Sequence, residues 1–408
     1  MIKKWFQNIG PGALVSAAFI GPGTVTICTL AGVNFGLNLL WAMLLSIMAT
    51  IVLQEMAARL GIISQRGLSE VIRSEIKHPF VRQLVTLLIL SAIVVGNASY
   101  EAGNISGGML GLETVFGEVI VTIGSFSIHL MSLFIGLIAF VLLYIGNYKF
   151  LEKVLITLVI LMSVSFLVTA FLTKPDLLEI LKGMFVPKFP QKSILMIVGL
   201  IGTTVVPYNL FLHAALVKEK WKTKTDLKHA RKDTIIAIGL GGLVSMAIII
   251  SAAAIPSKDI ANAADLAKSL APLYGNFSTY FLGLGLFAAG ITSAITAPLA
   301  AAYVAKGCLG WQGGLKSKRF RIVWIVILFL GVGFSSIGIK PIEIIKFAQV
   351  ANGILLPVVA GFLLWIMNKK ALLGTFVNTK FQNAIGIVIV LATLFLGLKS
   401  ILKVVNFI

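Results

Sequence analysis

The chain has 408 residues, of which 58% are hydrophobic and only 12% are charged, and it carries a formal net charge of +19. Because a soluble domain has about 25% charged residues, this composition excludes a soluble globular protein. We therefore count the length in membrane-spanning helices of about 20 apolar residues each and expect an all-α polytopic membrane protein. Cys28 and Cys308 lie in apolar segments, so no disulfide framework or cysteine-bound metal is expected.

Long apolar runs predict eleven transmembrane helices joined by short loops. We expect them to form a single transmembrane domain over residues 1–408, without a sizeable domain outside the membrane. The predicted spans cover residues 11–33, 37–61, 83–110, 119–145, 151–172, 193–217, 233–255, 277–305, 322–338, 347–367 and 381–402.

The distribution of lysine and arginine predicts how the chain is oriented. If the N-terminus is cytoplasmic, 24 of the 34 basic residues fall in cytoplasmic segments, as the positive-inside rule requires. We therefore expect a multi-pass protein of the cell's inner (plasma) membrane, with the N-terminus in the cytoplasm and the C-terminus outside. The positive charge then faces an anionic inner leaflet, and a nucleic-acid partner is not expected.

The first span is interrupted near its middle by Gly21, Pro22, Gly23 and Thr24. Proline removes a backbone donor, and glycine makes unwinding of a helix easier. Unpaired backbone at membrane depth is tolerated only where it is buried in protein or lines a polar cavity. The alternative interpretation is an ordinary proline kink.

Two acidic residues lie inside the second and third spans. Glu101 stands in a polar stretch at the middle of the third span and is the only deeply placed acid. An ionisable residue at that depth is costly and is a functional candidate by default. Glu55 precedes Arg59 by one helical turn, where a structural ion pair is the simpler role. His129, near an outer boundary, is expected to be incidental.

The sixth span contains the second interruption, at Val206, Pro207 and Tyr208. Asn209 follows the break directly, and we expect its side chain to serve function. His213, six residues after Pro207, could titrate near neutral pH and carry protons.

Hydroxyl and amide side chains surround both interruptions. Oxygen ligands of this kind suit hard cations such as Mg²⁺, Ca²⁺ or Mn²⁺. The alternative is that the same groups make hydrogen bonds between helices. The candidate ligands are Thr24 in the first span, Thr203, Tyr208 and Asn209 in the sixth, and Gln349 and Asn352 in the tenth.

Spans one and six occupy equivalent places in two halves of five spans each. An odd number of spans inverts the second half, and interrupted helices at matching positions of inverted halves indicate the central site of a secondary transporter. We predict a first repeat over about 11–172, a second over about 193–367 and an additional helix over about 381–402. The transporter is expected to be a monomer.

Four segments resemble the Nramp family of divalent-metal transporters, and the resemblance extends over essentially the whole chain. They are PGALVSAAFIGPGT in the first span, GTTVVPYNLFLHAALV in the sixth, AAGITSAITAPLAAAYVAKG in the eighth and AQVANGILLPVVAG in the tenth. The resemblance implies a LeuT-type 5+5 inverted-repeat fold with discontinuous helices 1 and 6. It also implies alternating access, often with proton coupling.

The resemblance implies that several metal-binding and proton-route positions of that family are changed in this chain. The changed positions are Gly21 and Thr24 in the family's Asp-Pro-Gly-Asn motif, Val206 and Tyr208 in its Met-Pro-His motif, Thr203 for an alanine whose carbonyl helps to bind metal, and Ala98 for an aspartate. The positions that keep the family residue are Glu101, His213 and Gln349.

These changes favour a different ion. Thioether sulfur favours Mn²⁺, Fe²⁺ and Cd²⁺ over hard ions, and Val206 removes that filter. Gly21 removes a charged ligand and leaves room for Mg²⁺, which usually keeps several of its waters. The chain thus resembles a divergent branch, the Nramp-related magnesium transporters. We expect Mg²⁺, with Mn²⁺ possible, as the transported substrate, no cofactor, and Glu101 as the compensating charge.

Two other functions remain open at this point. One is a carrier of a small organic solute such as an amino acid, whose carboxylate would be held by half-helix N-termini. The other is a sensor or scaffold that does not transport, although an idle site need not keep unwound helices. No nucleophile–base pair or phosphate-binding loop is evident, so we do not expect an enzyme.

Proton coupling is expected to be weak or absent. Ala98 and Tyr208 replace residues of the family's acid–base route, so only Glu101 and His213 are left to carry protons. The membrane potential alone supplies about 2.3 kcal/mol per charge per 100 mV, which favours entry of a dication.

Overall fold

The computed structural model describes residues 20–123, 126–146, 149–255, 260 and 262–405. Long helices dominate this part of the chain, because its apolar runs satisfy the backbone internally only as helices in a membrane. They are α1 (Pro22–Phe35), α2 (Leu40–Ser64), α3 (Leu68–Glu75), α4 (Pro79–Phe116), α5 (Leu130–Ile145), α6 (Lys149–Leu172), α7 (Leu177–Phe185), α8 (Ile194–Thr204), α9 (Pro207–Lys220), α10 (Leu227–Ala253), α11 (Ala263–Ala267), α12 (Ala271–Tyr274), α13 (Ser278–Leu309), α14 (Lys318–Ser336), α15 (Pro341–Ile366), α16 (Lys370–Leu373) and α17 (Lys380–Val405).

The described residues contain nine helical segments that are long and apolar enough to cross a membrane, when helices that follow one another directly are taken together. One of them joins α1 to α2 through a 3₁₀ turn at Gly36–Leu39, and another joins α8 to α9. The apolar helix α5 is shorter, with 16 residues. Each predicted span therefore overlaps a helix, and the chain is an all-α multi-pass membrane protein. The exact count of eleven spans stays a prediction.

The predicted interruption of the sixth span is confirmed. Helix α8 ends at Thr204 and α9 begins at Pro207, so Val205 and Val206 lie between them outside either helix. Val206 is extended, with φ −73° and ψ 120°. Proline at the first position of α9 explains the restart, because its fixed φ suits a helix start and its missing N–H costs nothing there.

The first span is described only from the interruption onward. Gly21 is extended, with φ −104° and ψ −175°, and α1 begins at Pro22. The part of the predicted span that precedes the break, residues 11–19, lies outside the described residues.

The predicted fourth span was wrong at its start. The sequence suggested a helix from residue 119, whereas Ile120–Ile123 and Phe126–His129 are two antiparallel strands, with Ile120 opposite His129. Helix α5 begins only at Leu130, where His129 precedes its first turn. The β-branched residues of this stretch favour strands, and a short apolar run does not distinguish a strand from a buried helix.

Helices meet at small residues, as is usual in membrane proteins. Gly107 of α4 lies directly against the ring of Pro22, and Gly202 of α8 lies against the backbone of α15 at Gln349. These contacts bring the first interruption next to α4 and the second next to α15.

The expected ion pair between Glu55 and Arg59 is present, with 3.0 Å between the Glu55 Oε2 and Arg59 Nη2 atoms. Glu55 also accepts from Arg231 of α10 at 2.8 Å. Arg59 donates to the Phe376 carbonyl and to the Asn378 side chain, each at 2.8 Å. This network joins α2, α10 and the segment before α17, and we call it the Glu55 network.

Candidate substrate site

The two interruptions meet through a hydrogen bond between hydroxyl groups. The Thr24 Oγ1 and Thr203 Oγ1 atoms are 2.7 Å apart, although the residues are separated by 179 positions. Thr24 stands in the first turn of α1, and Thr203 stands in the last turn of α8. Both side chains are buried. The residues expected at the centre of the site are therefore in direct contact.

Gln349 of α15 closes one side of this contact. Its amide nitrogen occupies the space where Gly23 would carry a Cβ atom, so the absence of a side chain at Gly23 admits the amide. The Gln349 Oε1 atom is buried and has no hydrogen-bond partner among the described residues. An acceptor in this condition is available to a cation or to water.

The start of α9 contributes three of the expected residues. Val206 and Tyr208 are buried, and the Tyr208 ring meets the edge of the Tyr100 ring of α4 with 5.4 Å between their centroids. The Asn209 Oδ1 atom is buried and has no partner in the described part of the chain. Asn209 thus adds a second free acceptor close to the break.

Asn352 is the second candidate ligand on α15. It is one turn along α15 from Gln349, and its Oδ1 atom faces Gly96 of α4. Its Nδ2 atom is buried without a partner among the residues described. Asn352 therefore extends the polar lining toward α4.

Glu101 of α4 faces α14, a contact that the sequence did not indicate. Its side chain packs against Gly331 of α14, and its Oε2 atom accepts one long hydrogen bond, 3.4 Å, from Asn104. The Oε1 atom is buried and lacks a partner within the described residues. This carboxyl is fully buried, and its contacts with Gly331 and Asn104 place it beside α14 and within α4.

His213 of α9 is paired with Gln54 of α2, with 2.9 Å between the His213 Nδ1 and Gln54 Oε1 atoms. The sequence indicated His213 but not its partner. The sequence feature that could have identified Gln54 as a partner is its polar amide in a long apolar helix. Tyr100 was likewise not predicted, and its position in the polar stretch around Glu101 was the indication for it.

The candidate ligands are neutral and shielded from water. Every expected ligand from Thr24 to Asn352 has a relative exposure of 2% or less. Among the described residues, no group of three His, Cys, Asp or Glu side chains is placed to hold a metal ion. The arrangement therefore offers hydroxyl, amide and backbone oxygens, the ligand types that hard cations accept.

Comparisons with known proteins agree with this architecture. The sequence profile of the Nramp family, described as natural resistance-associated macrophage protein-like, matches residues 12–403. A divalent metal cation transporter MntH from Bradyrhizobium diazoefficiens is 30% identical over 419 residues, covering 97% of this chain and 89% of that protein. MntH from Bacillus subtilis is 27% identical over 415 residues, with 98% and 92% covered.

Solved structures share the fold. A manganese transporter from Eremococcus coleocola superimposes with a TM-score of 0.77 at 22% identity, covering 97% of this chain and 86% of that one. MhsT in complex with L-phenylalanine matches with a TM-score of 0.58 at 15% identity, over 96% and 98% of the two chains. These likenesses confirm the expected LeuT-type fold with discontinuous helices.

Proposed function

The chain belongs to the Nramp family, and from this premise we propose that it is a secondary transporter that moves a divalent metal cation across the cytoplasmic membrane by alternating access. Its similarity to proteins named as divalent metal cation transporters supports the substrate class. The single observation that carries the proposal is the contact between the two broken helices at Thr24 and Thr203, since it brings both half-helix ends to one buried place.

Mg²⁺ is the favoured substrate, and Mn²⁺ is the second candidate. The proposed ligands are neutral oxygens, and a valine replaces the thioether that would favour softer ions. Mg²⁺ holds its water strongly, so a site with space at Gly21 would accept a partly hydrated ion. The proposed substrate-contacting set consists of Gly21, Thr24, Thr203, Val206, Tyr208, Asn209, Gln349 and Asn352, placed by the breaks at Pro22, Gly23 and Pro207.

Proton coupling is proposed to be weak or absent. His213 is committed to Gln54 through one ring nitrogen, and the side chain of Glu101 packs against Gly331 of α14. A continuous route for protons through ionisable side chains is therefore not supported by this geometry, and the membrane potential would drive uptake.

We also propose that residues 1–408 form one transport domain and that the protein is a monomer. The proposed repeats are those predicted above, with the breaks of α1 and of α8–α9 in equivalent positions. The proposed orientation has the N-terminus in the cytoplasm and the C-terminus outside.

The decisive measurement is flux into proteoliposomes of the purified protein under an inside-negative potential, with Mg²⁺, Mn²⁺ and Ca²⁺ supplied separately and a pH dye inside. We expect Mg²⁺ uptake that depends on the potential and does not acidify the interior. Acidification in step with uptake would show proton symport. Absence of flux for all three ions would favour an organic solute as substrate.

The charge of Glu101 is tested by Glu101→Gln in the same assay. Removing a buried charge near the path of a dication is expected to lower the Mg²⁺ flux about tenfold, a change of about 1.4 kcal/mol in the barrier. The matched control is Glu343→Gln, at an exposed carboxylate in the first turn of α15, and it should leave flux unchanged. Equal flux in both variants would remove Glu101 from the proposal and leave the metal substrate in place.

A further inference from the structure

An apolar groove runs between α5 and α14 on the membrane-facing surface. Its volume is about 310 Å³. Leu137 and Phe329 at its rim are 59% and 65% exposed, so the groove is open to the surrounding membrane. Its lining residues are Leu133, Gly136, Leu137, Phe140, Leu328, Phe329 and Val332.

One end of the groove continues into aromatic and basic side chains. Phe140 stacks on Tyr144 with 6.1 Å between the ring centroids, and the Arg321 guanidinium lies 4.7 Å from the centroid of the Tyr144 ring. Phe140 also contacts Trp324 at 5.5 Å. A continuous series of contacts therefore leads from the apolar groove to a cation.

Two more cations accompany Arg321 at this end of α14. Lys318 and Arg319 are exposed in its first turn, and Arg319 lies 5.9 Å from the Trp311 ring. Within the described residues, none of the three forms a salt bridge with an acidic side chain. Tyr and Trp beside Lys and Arg are the usual composition of a membrane–water interface, so these cations lie at the depth of lipid phosphates.

The length of the groove matches half a bilayer. Val332 follows Arg321 by eleven positions, and eleven steps of 1.5 Å along a helix amount to about 16 Å. The hydrocarbon core is about 30 Å thick, so one leaflet occupies about 15 Å. An acyl chain whose headgroup lies at Arg321 would thus follow the groove to the middle of the membrane.

We propose that this surface is a specific binding site for one anionic phospholipid of the inner leaflet. The phosphate is held by Arg321, with Lys318 and Arg319 adding positive charge, and one acyl chain fills the groove between α5 and α14. Guanidinium groups bind phosphate oxygens through paired hydrogen bonds, which favours Arg321 as the central contact. The leaflet assignment rests on the orientation proposed above, whereas the site itself does not depend on orientation or on transport.

The site has a connection to the transport machinery. Val332 lines the groove, and the preceding residue, Gly331, is packed against Glu101. A bound acyl chain would therefore lie beside the part of α14 that packs against the buried carboxyl.

The proposal is tested with the full chain in mild detergent, with phosphatidylglycerol or phosphatidylcholine of the same acyl chains added separately. Native mass spectrometry then measures the retained lipid. We expect tighter retention of phosphatidylglycerol and about a fivefold loss of that preference in Arg321→Gln, because each basic side chain near anionic lipid contributes on the order of fivefold in affinity. Arg321→Lys should keep most of the preference.

Two further variants separate the headgroup from the groove. Leu137→Trp, which fills the groove, should reduce retention of both lipids, whereas Lys228→Gln, at an exposed cation in the first turn of α10, should change nothing. Equal retention of the two lipids by the unaltered protein would overturn the proposal. So would a protein dimer that Leu137→Trp dissociates, because the groove would then belong to a second copy of the chain.

Discussion

Gly21 is the residue at which this chain differs most in chemistry from the family pattern. Its backbone has φ −104° and ψ −175°, a conformation that any residue adopts, so the fold does not require glycine here. A carboxylate at this depth would have to be stabilised by its cation whenever the site is loaded, and it would be costly when the site is empty. A neutral residue avoids that cost.

Gly21→Asp is therefore expected to fold and to change ion preference. A carboxylate at the start of α1 gains from the helix dipole and adds a charged ligand, so affinity for Mn²⁺ should rise by about tenfold, or about 1.4 kcal/mol. Competition between Mn²⁺ and Mg²⁺ for uptake measures this shift. Gly21→Ala is the matched control, since it adds a side chain without charge. An equal effect of alanine would show that size, not charge, determines selectivity.

Candidate site residues could be selected from the sequence where a polar or ionisable residue interrupts an apolar run, as Glu101, His213 and Gln349 do. Their partners were not predictable. Gln54 meets His213 across 159 positions and Thr24 meets Thr203 across 179, and such pairs depend on how helices pack. The sequence likewise gave no indication that Glu101 would face Gly331 of α14.

At the scale of elements, the hydroxyl contact joins α1 to α8 at the centre of the site. Thr24→Val keeps the shape of the side chain and removes its hydroxyl, leaving Thr203 buried without this partner. We expect a loss of about 1–3 kcal/mol, seen as a lower midpoint of thermal unfolding in detergent.

Thr26→Val is the control for that experiment. Thr26 lies on the same helix and is fully buried, but its hydroxyl has no hydrogen-bond partner among the described residues. Replacing it should leave the unfolding midpoint unchanged or raise it. If Thr26→Val and Thr24→Val were equally destabilising, the contact between the two breaks would have no special importance.

The close packing of α8 against α15 can be tested by adding a side chain at the contact. A Cβ atom at Gly202 would collide with the Gln349 carbonyl oxygen, whereas one at Gly199 would meet Ile27 at an ordinary 3.5 Å. Gly202→Ala is expected to cost about 1–3 kcal/mol through overpacking and to reduce transport. Gly199→Ala, one turn away on the same helix, should be well tolerated in both stability and flux measurements.

Element types were predictable to different degrees. Pro207 indicated the end of one helix and the start of the next, because proline lacks a backbone N–H and disrupts a helix unless it stands in the first turn. The strands at Ile120–Ile123 and Phe126–His129 were missed, since a short run of apolar residues is compatible with both a strand and a helix. Only the pairing of the two segments distinguishes them.

For the molecule as a whole, the excess of lysine and arginine in alternate loops predicts orientation. Residues Gln191 and Lys228 are exposed and lie in segments assigned to opposite sides, and both native cysteines are buried. We expect a membrane-impermeant maleimide to label Gln191→Cys on intact cells and Lys228→Cys only after permeabilisation. The reverse pattern would invert the proposed topology.

The hydroxyl bridge between Thr24 and Thr203 has a consequence for the electrical behaviour of the transport cycle. Either oxygen can donate, so in the proposed cycle the bridge would open and close without exposing a charge, and replacing one neutral hydrogen bond by solvent would cost only about 1 kcal/mol. The loaded carrier would move two positive charges through the membrane field, whereas the bridge would add no charge to the return of the empty carrier. Voltage would therefore accelerate the inward step selectively, and the return of the empty carrier would set a ceiling on the current at strongly negative potentials.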